Sequence, residues 1–266
     1  FRHAIVAPEA AATAGFDQVL LRAENQLTYV QYLPDLRGLP TNSVAAVPLG
    51  TTLALEARNQ LASRTNRALK RVVDLIGSIA LLALLFVPMV VITLLVWVDT
   101  RVSPLYLSPR LGRYGKEFKC IKFRTMYFDA DARLEHLLET HLELKAEYET
   151  YHKLEEDPRV TRTGNILRRL SLDELPQLLN VFRGQMSLVG PRPYMVREHK
   201  IMGSDRDLIF LARPGMTGYW QTEARNDVSF EERQSMEAHY VRNWSLWWDI
   251  DILLRTPGAI ISKTGK

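Results

Sequence analysis

The feature that most constrains this chain is the run from Lys70 to Arg101, KRVVDLIGSIALLALLFVPMVVITLLVWVDTR. Within it, Leu75 to Val98 is 24 residues without a formal charge, interrupted at Gly77, Ser78 and Pro88. A bilayer helix needs about 20 apolar residues, so the run belongs in lipid. Pro88 lies near its centre, where the missing N–H and the clash of the ring with the preceding turn predict a bend. Arg64, Arg67, Lys70 and Arg71 flank one end, and Arg101, Arg110, Arg113, Lys116 and Lys119 flank the other. Both flanks therefore carry the charge that holds a segment on the cytoplasmic side. Two readings fit. One is a kinked helix that crosses the bilayer. The other is a re-entrant hairpin that bends at Pro88 and returns to the face it entered, with lipid-exposed irregular backbone kept very short.

The 266 residues leave room for one large domain or two smaller ones. A net charge of +4 and a pI of about 9.2 favour anionic partners. Beside a lipid segment these are phospholipid headgroups and phosphorylated substrates, with no nucleic acid expected. Cys120 is the single cysteine, which excludes an internal disulfide and a cysteine-built zinc site. The sequence begins at Phe1 without a signal peptide, which predicts further residues upstream.

Ahead of the apolar run, His3 to Ala7, Leu27 to Leu33 and Val44 to Val47 read as short strands, and Glu9 to Gln26 includes helical patterning. With no GxGxxG or P-loop and few strands, residues 1–50 read as the C-terminal part of a Rossmann-like α/β accessory domain. Residues 51–69 read as a linker helix, since Thr52 to Arg71 is amphipathic, and residues 70–101 as the membrane helix.

In residues 102–266, Phe118 to Met126 reads as a strand whose Lys119, Lys122 and Arg124 are interleaved with apolar residues. That cationic strand suits a nucleotide phosphate or lipid headgroups equally. Glu135, Glu139, Glu143 and Glu147 recur every four residues, which predicts one acidic helix face. It reads as solvated, because carboxylates spread along a helix do not converge on one ion. Asn226 to Asn243 reads as a helix. Trp244, Trp247 and Trp248 beyond it fit a shallow interfacial attachment or core packing.

Chemistry concentrates in residues 157–193, DPRVTRTGNILRRLSLDELPQLLNVFRGQMSLVGPRP. Arg159, Arg162, Arg168 and Arg169 precede the pair Asp173-Glu174, and Arg183 and Arg192 follow it. Arginine offers a fixed fork for phosphate oxygens, adjacent carboxylates can hold Mg²⁺ against a diphosphate, and a carboxylate can attack phosphorus. The competing reading is a helix start. With Asp173 as N-cap, Pro176 falls at a tolerated third position, and both acids sit at an exposed helix N-terminus. Leu175, Leu178, Leu179 and Phe182 then form one apolar stripe on the core or on the bilayer surface.

Five ordered motifs carry a resemblance. They are Lys122-Phe-Arg-Thr-Met126, Asp157-Pro-Arg-Val-Thr-Arg-Thr-Gly164, Leu167-Arg-Arg-Leu-Ser-Leu-Asp-Glu-Leu-Pro-Gln177, Met186-Ser-Leu-Val-Gly-Pro-Arg-Pro193 and Arg213-Pro-Gly-Met-Thr-Gly218. Over about residues 67 to 266 the chain resembles the bacterial monotopic phosphoglycosyl transferases, a bacterial sugar transferase family, in their long form. Within that family it is most similar to the members that move galactose 1-phosphate onto undecaprenyl phosphate to begin O-antigen synthesis.

The resemblance implies an α/β membrane-associated catalytic domain over residues 102–266, with a re-entrant membrane helix and interfacial amphipathic helices, on the cytoplasmic face of the bacterial inner membrane. It implies Mg²⁺ and transfer of a sugar 1-phosphate from a UDP-sugar to undecaprenyl phosphate, with UMP released and a homodimer among the expected partners. On that template Asp173 matches the nucleophile and the Mg²⁺ contact, Glu174 the other half of the dyad, and Arg168 and Arg192 phosphate-contacting positions. The sequence departs from the family at Val87-Pro88, where the usual residue before the proline is serine. The acidic segment 129–156 is longer than in small members and reads as an insertion used for assembly. Three alternatives stay open: the same reaction with glucose or N-acetylhexosamine 1-phosphate, a glycosyltransferase that releases UDP, and a membrane-tethered nucleotide sensor without catalysis.

Overall fold

The computed structural model describes residues 3–6, 29–32, 44–49, 52–57, 60–140, 157–224 and 228–261. It divides into two units, Phe1–Arg58 and Asn59–Lys266.

In the first unit, β1 (His3–Val6) and β2 (Tyr29–Tyr32) pair in parallel, while β3 (Val44–Leu49) and β4 (Thr52–Ala57) pair antiparallel. All three expected strands form. A parallel pair requires a crossover connection, and the helical patterning of Glu9 to Gln26 lies outside the described residues. The helix expected from Thr52 to Arg71 is corrected at its start, because Thr52–Ala57 is a strand. The run TLALEA alternates as well as it spirals. Val44–Leu49 supplies a partner two residues upstream, with Leu49 opposite Thr52.

In the second unit a 3₁₀ turn at Gln60–Ala62 leads into α1 (Arg64–Leu84) and α2 (Phe86–Thr100), which meet at Leu85 with a bend of 64°. Pro88 is the third residue of α2 and has no N–H to return to the turn at Leu84; the ladder resumes with Met89 N–H donating to Leu85 O at 2.9 Å. The bend forms with Val87, not serine, before Pro88. Among the described residues no single helix is long and apolar enough to cross a membrane, but this bent pair has the length and composition together.

Both arms are seated on one body. On α1, Asp74 Oδ1 accepts from Ser187 Oγ and Leu188 N–H, Arg71 donates to Val181 O and Phe182 O, and Lys70 pairs with Asp249 at 2.5 Å. On α2, Ile92 and Val96 pack against Phe123 and Leu167. The bend itself stays bare: Leu84 is 74% exposed, and Phe86 and Val87 are exposed beside it. An apolar face continues along both arms through Ile76, Ile79, Val90, Val91, Leu94 and Leu95.

Next come the hairpin β5 (Leu105–Leu111) and β6 (Glu117–Phe123), then α3 (Ala130–Thr140), α4 (Arg162–Arg169) and α5 (Gln177–Phe182). β7 (Ser187–Val189) pairs in parallel with β8 (Gly215–Thr217) across α6 (Arg206–Ile209). α7 (Tyr219–Glu223), α8 (Phe230–Asn243) and α9 (Leu246–Ile261) close the unit. Leu178, Val181, Met186, Val189, Tyr240, Val241, Trp244 and Ile252 form the main core. Glu135 and Glu139 are exposed on α3, while Glu143 and Glu147 lie outside the described residues. The tryptophans divide between the two readings: Trp244 is buried and donates to Asp249, whereas Trp247 is 77% exposed.

Candidate active site

The acidic pair does not open a helix as the sequence suggested. Ser171 takes a left-handed conformation (φ 55°), and Leu172–Glu174 forms a separate 3₁₀ turn. Pro176 then caps α5, which starts at Gln177. The fixed φ of proline suits a helix entrance, so the start moves past it and leaves Asp173 and Glu174 on the preceding turn. The apolar stripe shifts too. α5 buries Gln177, Leu178, Asn180 and Val181, and Phe182 is exposed. The reason is Asn180: its Oδ1 accepts from Ile121 N–H at 2.9 Å, and its Nδ2 donates to Lys119 O and to Gln185 Oε1. An amide on the helix thus supplies the edge of β6 with the partners a strand would give.

The other walls come from the remaining motifs. Thr161 caps α4 by accepting from Gly164 N–H. A Cβ at Gly164 would lie 2.1 Å from Thr125 O, so only glycine lets α4 approach the end of β6 this closely. There Arg168 Nε donates to Thr125 Oγ1 at 2.9 Å. Arg192 follows β7 on the turn Gly190–Tyr194. Its backbone N–H donates to Glu237 Oε1 at 2.9 Å, and the Tyr194 hydroxyl donates to Glu237 Oε2. Glu237 is buried on α8.

These segments enclose a cavity of about 340 Å³ lined by Asp173, Glu174, Arg168 and Arg192, all four residues singled out in the sequence. Arg110, Lys122, Gln177, Trp220 and Gln221 line it as well. Lys122 Nζ pairs with Glu174 Oε1 at 2.6 Å. Among the described residues no ion pair ties Asp173. Burial pushes its carboxyl above the usual range, and Glu174 adds to this while Lys122 and Arg168 oppose it. Burial lowers the proton affinity of Arg168, with Asp173 opposing. The other arginines of the stretch stand outside the cavity lining; Arg159, for one, forks onto Asp157 at 2.7–2.8 Å.

Sequence reasoning counted Arg110 only as a flanking charge. The hairpin register carried the missing signal: Arg110 lies opposite Phe118, and Tyr106 opposite Lys122, which puts Arg110 and Lys122 on one face of the sheet. Nothing local marked Gln177, Trp220 or Gln221. Among the described residues no cluster of three or more acidic, histidine or cysteine side chains could cage a metal. Asp173 and Glu174 are the two carboxylates in the cavity lining, and Glu174 is already paired to Lys122.

A family model described as "Bacterial sugar transferase" matches residues 65–263. The chain belongs to the bacterial sugar transferase family. It is 44% identical over 238 residues to the UDP-galactose-lipid carrier transferase of Erwinia amylovora, covering 89% of this chain and 50% of that protein. It is 40% identical over 238 residues to the undecaprenyl-phosphate galactose phosphotransferase of Salmonella typhimurium, with the same coverage of 89% and 50%. The exopolysaccharide production protein ExoY of Sinorhizobium fredii is 44% identical over 192 residues, 72% of this chain and 84% of that protein. This sugar transferase therefore spans about half the length of the first two relatives. The family match takes in both arms of the bent pair and every residue of the cavity.

Proposed function

We propose that this sugar transferase moves a sugar 1-phosphate from a UDP-sugar to undecaprenyl phosphate at the cytoplasmic face of the bacterial inner membrane, releasing UMP. One observation carries the reading: four residues from three segments, Asp173 and Glu174 on one turn, Arg168 and Arg192, line one cavity together with further cations. Galactose is the favoured sugar, since the Erwinia and Salmonella relatives are named for galactose transfer. Glucose and N-acetylhexosamine 1-phosphate are the alternatives.

In the first step an Asp173 oxygen attacks the sugar-bearing phosphorus. A carboxylate O–P bond forms, the P–O bond to the second phosphate breaks, and UMP departs with the electron pair. In the second step a phosphate oxygen of the lipid attacks the same phosphorus, the Asp173 O–P bond breaks, and the carboxylate is restored. Arg168, oriented by Thr125, and Arg192, held from behind by Glu237, offset the phosphate charge. Glu174, paired to Lys122, keeps that cation beside Asp173. Mg²⁺, when bound at Asp173, would neutralise diphosphate charge and orient the leaving group.

The bent pair α1–α2 is the proposed re-entrant anchor. Its arms return to one body and its bend exposes apolar side chains, which suits insertion into one leaflet. The test is release of UMP from UDP-galactose with polyprenyl phosphate present, with other UDP-sugars as comparison. Asp173→Asn is expected to reduce turnover by at least about 10³-fold, as loss of a nucleophile does. Near-normal turnover of that variant, or release of UDP instead of UMP, contradicts the reading.

A further inference from the structure

Arg110 has no role in the scheme above, yet its surroundings are those of an anion site. It sits on β5, hydrogen-bonded to β6 on one side and bridged to Met195 on the other, with Leu111 N–H donating to Tyr194 O. This fixes it beside the turn that carries Arg192, and both guanidinium groups line the cavity. Arg110 Nη1 is buried without a hydrogen-bond partner. The neighbouring acids are engaged elsewhere: Glu174 by Lys122 at 2.6 Å, and Glu198 by Met195 N–H at 2.6 Å.

Other arginines of this unit are anchored in the protein. Arg71, Arg113 and Arg213 donate to backbone carbonyls, and Arg159 forks onto Asp157. Arg233 also has a buried unpartnered nitrogen, but it lies over the rings of Phe230, Trp220 and Tyr194, which supply a cation–π environment. Arg110 has neither compensation. Burial first, and the like charge of Arg192 second, lower its proton affinity. A buried N–H left unmade beside a second cation is unfavourable until an anion arrives, and phosphate matches the guanidinium fork.

Asp173 feels Lys122, Glu174 and Arg168, whereas the strongest charge acting on Arg110 is Arg192, with Glu174 a weaker influence that the two share. We infer that Arg110 and Arg192 form a second phosphate subsite, apart from the Lys122–Arg168 wall that faces Asp173. The inference rests on the proposed function and assigns the group such a subsite takes, a phosphate monoester. Two successive in-line displacements at one phosphorus place the departing and the entering phosphate on the same side, opposite the carboxylate. The UMP phosphate and the lipid phosphate are therefore the two sources, and the subsite serves them in turn.

The experiment uses Arg110→Met and Arg110→Lys in the whole chain. UMP binding is read first, as the rise in thermal unfolding midpoint with added UMP, which requires no turnover. Wild type is expected to shift, Arg110→Met to need at least about tenfold more UMP for the same shift, and Arg110→Lys to recover part of it. In kinetics, Arg110→Met is expected to raise KM for UMP in UMP/UDP-sugar exchange and KM for polyprenyl phosphate in the complete reaction, each about tenfold, with kcat changed less. A rise in one KM alone supports the subsite and names its source. Unchanged UMP binding and unchanged KM values in Arg110→Met overturn it. If wild type binds UMP through Arg110 but transfers no phosphosugar, the proposed function fails and the subsite stands.

Discussion

Glu237 shows how a buried residue outside the cavity supports one inside it. Its carboxylate holds the Arg192 backbone N–H and the Tyr194 hydroxyl, with Arg233 one turn away and Tyr240 packed nearby. Burial raises it to about 7 from an ordinary value of 4.5, against the pull of those hydrogen bonds and of Arg233 and Arg192. A raised acid binds its proton more tightly in the folded chain than in the unfolded one. Its contribution to stability is therefore smallest above pH 7 and grows as pH falls toward 4.5. Glu237→Gln cannot titrate. Thermal unfolding in detergent from pH 5 to 8 is expected to show wild type gaining on the variant as pH falls, and a constant difference between them contradicts the assignment. At this scale the sequence singled out Asp173, Glu174, Arg168 and Arg192, which the structure gathers around one cavity. It gave Arg110 only as a flanking charge and was silent on Glu237, and both take their surroundings from Arg192, 82 and 45 residues away along the chain.

Elements were legible where one periodicity dominated. β6, α8 and the bent apolar pair lie close to their expected positions. Thr52–Ala57 and α5 were misread for related reasons: a short segment satisfied two patterns, and a tertiary partner chose between them. For β4 the partner is β3; for α5 it is the edge of β6, reached through Asn180. Asn180 is fully buried and satisfies Ile121 N–H, Lys119 O and the Gln185 amide together. Asn180→Ala strips partners from all three and is expected to destabilise the fold by about 2–4 kcal/mol. A thermal or denaturant unfolding curve checks this, and a loss under about 1 kcal/mol would show that α5 docks without the amide.

For the whole molecule, the bent pair and the cavity are one device. α1 is locked to β7 by Asp74 and to α9 by Lys70, α2 is packed on α4 and β6, and the cavity lies on the same body. In the proposed function, a water-soluble donor and a lipid acceptor reach one carboxylate only if both ends of the pair lie on the same side of the bilayer. The protein is suited to a direct test, because Cys120 is fully buried and its thiol is pushed up to about 11, which keeps it poorly reactive. Single cysteines at Thr65, before the apolar run, and at Ser103, after it, can be labelled with a membrane-impermeant maleimide in intact cells and in inverted vesicles. The re-entrant account expects both positions to react in inverted vesicles and neither in intact cells. Labelling of the two positions from opposite faces would contradict it.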